Sequence, residues 1–129
     1  MTELSLKKKR PFWLNMSPLN LPLPGLVSIF HRVSGVAIFV GLFWLLYLLQ
    51  ASLTSSDSFE TFKAALSTPF AKLCLLVLIW SYLHHFCAGI RYLIIDLHWM
   101  ADLSSARKTA GTVFVVSLLL TLLFAVKIW

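Results

Sequence analysis

The sequence predicts an all-α membrane protein of three transmembrane helices preceded by a short N-terminal interfacial arm. Three observations carry this. Of the 129 residues, 59% are hydrophobic and only 12% are charged, a balance too apolar for the water-facing surface of a small soluble domain. The apolar residues gather in three runs, about Val27 to Leu53, Pro69 to Leu97 and Thr109 to Trp129. Each is long enough for the roughly 20 residues that a helix needs to cross about 30 Å of hydrocarbon. The charges collect at the ends of the runs and in two short connections, so residues 1–129 make one membrane domain. No room is left for a catalytic domain outside the membrane.

The arm, residues 1–26, opens with the basic stretch "LKKKRPFWL". It does not read as a cleaved signal peptide, because Pro11, Pro18, Pro22 and Pro24 interrupt it and no continuous apolar core precedes a small-residue cleavage site. It is expected to remain in the mature chain, with Phe12 and Trp13 at the membrane interface. Lys7, Lys8, Lys9 and Arg10 precede the first run and Arg107 and Lys108 occupy the second connection, whereas the first connection sets Asp57 and Glu60 against Lys63. The positive-inside rule then puts the N-terminus in the cytoplasm and the C-terminus outside. The net charge of +6 is better matched to anionic lipid headgroups than to nucleic acid, because the cations hug the spans. Lacking a transit peptide, the chain is expected in a bacterial inner membrane.

The first run begins "SIFHRVSG", with Ser28, His31, Arg32 and Gly35 at i, i+3, i+4 and i+7 on one helical face. Such a stripe addresses a partner helix, a cofactor or a wet cavity, and Gly35 permits a close approach to the backbone. The plainer alternative is that His31 and Arg32 only snorkel to headgroups.

That alternative is closed to the second run, "WSYLHHFCAGIRYLIIDLHW". His85 lies about 18 Å from the end of the run near Leu97, at a rise of 1.5 Å per residue, which is close to the midplane. His85, Gly89, Tyr92 and Asp96 share a narrow face, while His84, Ala88 and Arg91 form a second stripe about 100° away. An imidazole ligates a metal through one nitrogen, and a glycine one turn away opens space for a flat macrocycle. A hydrogen bond between helices is the competing use of a lone membrane histidine. Cys74 and Cys87 read as packing residues, and the third run, with Ser117 and Thr121 but no internal charge, reads as a structural helix.

These motifs resemble the cytochrome b membrane-anchor subunit of succinate dehydrogenase, respiratory complex II. "SIFHRVSG" is similar to the start of that family's first span. "HFCAGIRYLIIDL" is similar to its pattern of His, three residues, Gly, one residue, Arg, then Asp five later. Arg10–Pro11, the three spans and the length extend the likeness over essentially the whole chain. The resemblance implies one part of a multi-subunit helical bundle, in which this chain and a second membrane anchor share one haem b. It implies His85 as axial iron ligand, His31 and Arg91 near the haem propionates, and Ser28 with Arg32 in a ubiquinone pocket. It also implies a flavoprotein subunit and an iron–sulfur subunit as soluble partners, which carry the succinate-oxidising chemistry. Tyr92 departs from the histidine that many relatives carry after the arginine.

Two other classes compete. One is a haemless, quinone-reactive anchor of a fumarate reductase, against which His85 near the midplane argues. The other is a small transporter subunit whose histidines relay protons, against which the lack of paired intramembrane carboxylates argues.

Overall fold

The structure, a computed structural model, describes residues 21–100 and 102–129. Four helices account for nearly all of them: α1 (Leu23–Thr54), α2 (Ser56–Leu66), α3 (Pro69–Asp96) and α4 (Leu103–Ile128). Helices α1, α3 and α4, of 32, 28 and 26 residues, are each long and apolar enough to cross a membrane.

Two of the three spanning helices, α1 and α4, start earlier than their apolar runs do. Helix α1 begins at Leu23, four residues before Val27, so the end of the expected arm is helical. Pro22 is its N-cap and Pro24 lies in its first turn, where the missing N–H costs no bond and the fixed φ suits a helix. The remaining features of the arm, Lys7 to Arg10 with Phe12 and Trp13, lie outside the described residues. Helix α3 starts at Pro69 as expected and ends at Asp96. Helix α4 begins at Leu103, six residues before Thr109, because the Asp102 carboxylate accepts a hydrogen bond from Ser105 N–H at 2.9 Å. Hydropathy marks where hydrocarbon begins, whereas the cap marks where the helix begins.

The first connection, expected as a loop, contains α2. Ser55 and Ser58 close a reciprocal cap, Ser58 N–H donating to Ser55 Oγ at 3.1 Å and Ser55 N–H to Ser58 Oγ at 2.8 Å. Asp57 in the first turn and Lys63 in the last complement the helix dipole. The Lys63–Glu60 ion pair at 3.2 Å is exposed, so it adds little.

Contacts fix the topology. Gly35 meets His85 and Gly41 meets Leu78, so α1 and α3 are antiparallel. Arg91 bonds Thr109 while His84 packs on Phe114, so α3 and α4 are antiparallel too. Val27, Ala88, Ala110 and Val113 form the core where the three meet. Small residues let the backbones approach without a hydrophobic drive between helices, and at Gly41 the Leu78 side chain takes the space of a Cβ. Most large apolar side chains point outward, among them Val36, Phe39, Phe43, Phe86 and Leu93. That surface calls for lipid or another membrane subunit.

Candidate functional site

Helix α3 presents its two histidines to different neighbours. Ser81, His84, Ala88 and Arg91 are all buried and form the stripe that faces into the chain. His84 is enclosed by Trp80, Phe30 and Phe114, with ring centroids 5.2, 6.0 and 5.1 Å away. It is 0% exposed, and neither ring nitrogen has a hydrogen-bond partner. Each such unmade bond costs about 1–3 kcal/mol, set here against close aromatic packing.

Arg91 belongs to the same stripe. Its Nε donates to Thr109 Oγ1 at 3.1 Å and its Nη2 to the Ala106 carbonyl at 3.1 Å, fastening α3 to α4. The guanidinium carbon also lies 5.4 Å from the Tyr92 ring centre. Arg91 is therefore not in direct contact with His31 or His85 and approaches them only through Tyr92.

His85 turns toward α1, where its ring stacks on that of His31 with centroids 4.1 Å apart and planes 13° apart. His85 Nδ1 lies 2.9 Å from the His31 carbonyl oxygen. A carbonyl can only accept, so Nδ1 is the donor, and in the neutral ring the lone pair is on Nε2. Ser34 Oγ donates to the same carbonyl at 2.9 Å and lies 3.4 Å from His85 Nδ1. Both His31 and His85 are half-buried.

Two glycines shape this face. A Cβ at Gly35 would stand 3.0 Å from His85 Cε1, and one at Gly89 would stand 3.8 Å from His31 Nε2. Tyr92 closes the cluster edge-on to His31 at 5.2 Å, with its buried hydroxyl unpartnered. Among the described residues no three His, Cys, Asp or Glu side chains converge to hold a bare metal ion. What the cluster offers is one oriented imidazole nitrogen beside a stacked ring and two missing side chains.

Ser28 and Arg32 lie one turn apart on α1, about 6 Å along its axis, Ser28 before His31 and Arg32 directly after it. Ser28 is half-buried and Arg32 exposed. Hydroxyls at Ser34, Ser52 and Ser117 donate back to the carbonyl three residues earlier. Among the described residues neither Ser28 nor Arg32 makes a side-chain hydrogen bond or ion pair. Cys74 and Cys87 are free and half-buried, Cys87 against the core.

Of the expected site residues, His31 and His85 meet, Ser28 and Arg32 stand near each other on α1, and Arg91 faces α4. Ser34 is the participant that the sequence reading passed over. Its signal was the position three residues after His31, which puts its hydroxyl within reach of that residue's carbonyl.

This geometry defines a class: a small multi-pass membrane protein with an oriented, half-buried histidine between two of its helices. The chain belongs to the succinate dehydrogenase/fumarate reductase transmembrane subunit family, whose description it matches over residues 7–124. Proteins named succinate dehydrogenase cytochrome b556 subunit are similar to it along most of their length. That of Coxiella burnetii is 34% identical over 125 residues, covering 96% of this chain and all of the relative. Those of Rickettsia felis and Paracoccus denitrificans are 29% and 25% identical, covering 95% and 88% of both chains.

Proposed function

We propose that this chain is the haem-binding membrane anchor of a succinate dehydrogenase and contributes to the site where ubiquinone is reduced. The observation that carries the reading is the His85 Nδ1 contact with the His31 carbonyl at 2.9 Å. Histidines that ligate metals almost always donate their other N–H to such an acceptor, which fixes the ring and raises ligand basicity. His85 Nε2 is the ligating atom, about 16 Å from the end of α3 at 1.5 Å per residue. The donor set fits haem b: one imidazole here, a second that the other membrane anchor would give, a glycine at 35 that lets the His85 ring lie against α1, and a glycine at 89 that leaves room beside the ligand. The relatives' name, cytochrome b556, supports this. When bound, the haem supplies one-electron redox chemistry.

This chain's own residues do the rest. The Ser34 hydroxyl and the His31 carbonyl hold His85 in one tautomer and one orientation. His31, whose ring stacks on that of His85, would interact with the haem propionates. Arg91 acts at one remove, its charge lying over Tyr92 and so favouring the carboxylates of the cofactor without touching them. At the quinone, Ser28 Oγ donates to a carbonyl oxygen and the Arg32 guanidinium offsets the negative charge that grows as electrons arrive. Arginine is a poor proton source, so the two protons come from water or from a partner's side chain.

The other subunits are a flavoprotein, an iron–sulfur protein and the second anchor, with the N-terminus of this chain in the cytoplasm of a bacterial inner-membrane complex. A haemless fumarate reductase anchor has no use for an oriented, half-exposed imidazole. A proton relay would need His84 and His85 linked, and they face different helices.

The test is the reduced-minus-oxidised spectrum of the purified complex carrying His85→Ala or His84→Phe. Loss of the low-spin b signal in the first and its retention in the second are expected. The reverse pattern would transfer the ligand role to His84. A wild-type complex with no b-type spectrum would reject haem binding altogether.

A further inference from the structure

On the side of α3 away from the His31–His85 face, a groove of about 290 Å³ runs between α3 and α4. Ile90, Ile94 and Val113 make its walls, Arg91 and Thr109 its polar end, and Met100 lies across it. Met100, an exposed residue, has φ 56°, a left-handed conformation that is uncommon outside glycine, asparagine and aspartate.

Arg91 is the puzzle of this groove. It is 6% exposed, and among the described residues no carboxylate lies within ion-pair distance, the single ion pair being Lys63–Glu60. Its Nε and Nη2 are held by Thr109 and Ala106, and among the described residues Nη1 makes no hydrogen bond. A guanidinium in this position is costly unless an anion joins it. It lies five residues from the end of α3, roughly 8 Å along the axis, the depth at which headgroups meet hydrocarbon. Exposed Lys108 stands one turn before Thr112, which also lines the groove.

We infer that the α3–α4 groove binds one anionic phospholipid, with an acyl chain along Ile90, Ile94 and Val113 and the phosphate paired with Arg91 and Lys108. Charge complementarity selects this occupant. An acyl chain alone would leave Arg91 unpaired, and an acidic protein partner would have to bury a carboxylate in the membrane. The inference shares Arg91 with the haem reading but not its test, because neither His85 nor Ser28 lines this groove and lipid labelling is read without reference to haem.

The experiment uses the intact complex in mild detergent, with phosphatidylglycerol or phosphatidylcholine carrying a photoactivatable diazirine in the same acyl chain. Cross-linked peptides are mapped by mass spectrometry. Phosphatidylglycerol is expected to label residues 87–116 more strongly than phosphatidylcholine, by about fivefold for each cation engaged. Lys108→Gln should lower that preference about fivefold, and Thr112→Trp should block labelling by filling the groove. Arg91→Gln should abolish the preference; if that variant does not assemble, wild type and Lys108→Gln still decide. Equal labelling by the two lipids, or no labelling of these residues, would overturn the inference. So would a cross-link from a photoreactive residue at position 112 to another subunit, which would make the groove a protein interface. None of these readouts depends on haem or on succinate oxidation.

Discussion

Replacing Gly35 by alanine tests the histidine geometry with one methyl group. The new Cβ would stand 3.0 Å from His85 Cε1 and 3.3 Å from Nδ1, inside the 3.5–4.0 Å at which carbon atoms pack best. The ring must withdraw by a few tenths of an ångström, and it is tied through Nδ1 to the His31 carbonyl at 2.9 Å. Overpacking costs about 1–3 kcal/mol, and the hydrogen bond that stretches is worth about 0.5–1.5 kcal/mol. Alanine returns about 0.5–1 kcal/mol of helix propensity over glycine. The net cost is about 1–3 kcal/mol at the ligand, or roughly a five- to hundredfold loss of haem affinity. The assay is haem content per complex together with the low-spin electron paramagnetic resonance signal, which reports axial ring orientation. Gly89→Ala is the control for packing within this chain, since its Cβ meets only His31 Nε2 at an ordinary 3.8 Å. Haem loss in Gly89→Ala would therefore report a planar group lying over position 89. Wild-type haem content and an unshifted signal in Gly35→Ala would refute the reasoning, because they would mean that His85 is not held where its ligand role requires.

Ser28→Ala and Arg32→Lys are each expected to lower succinate-to-ubiquinone electron transfer at least tenfold, while reduction of a soluble acceptor that takes electrons upstream continues. Lysine snorkels as well as arginine but lacks the planar fork of donors, so full quinone reductase activity in assembled Arg32→Lys would favour simple headgroup anchoring. Cysteine labelling at position 56 from outside and at position 105 from the cytoplasm should report the N-in topology, and the opposite pattern would move the quinone site to the wrong side of the membrane. Hydrogen bonds from the Ser105 amide and hydroxyl hold the Asp102 carboxyl below its ordinary 3.8. A depressed carboxylate stabilises the fold above its unfolded pKa and loses that contribution as pH falls through the folded value. Amide-exchange protection at the start of α4 should therefore decline below about pH 4, and Asp102→Asn should remove that dependence.

The three spans were legible because hydropathy over 20 residues is a strong signal, but the helix ends were not. Prolines 22 and 24 look like interruptions until they are seen at the N-cap and first turn of α1. Helix α2 escaped because its reciprocal cap uses Ser58 where the recognisable pattern has Glu or Gln, and eleven mostly polar residues leave no hydropathic mark. Ser34 was passed over: its place three residues after His31 puts its hydroxyl near that carbonyl, but nothing local announces that the carbonyl is shared with a histidine 51 positions away.

The histidine doublet shows where periodicity stops and packing begins. Helical spacing alone separates His84 from His85 and puts Arg91 on the His84 stripe, but it does not say which stripe meets which helix. Small residues decide that. Ala88 and Ala110, both 0% exposed, bring α3 and α4 so close that the whole stripe from Ser81 to Arg91 is enclosed, and His84 becomes a core residue among aromatic rings. On the other face, glycines at 35 and 89 keep α1 and α3 from filling the space around His31 and His85 with side chains. Enlarging Ala88 or Ala110 would therefore disturb His84 and the Arg91 clamp first, whereas enlarging Gly35 disturbs His85 first. Two adjacent imidazoles thus have different chemistry available to them: one is sealed within this chain, and the other is fixed through Nδ1 with its second nitrogen free to bind.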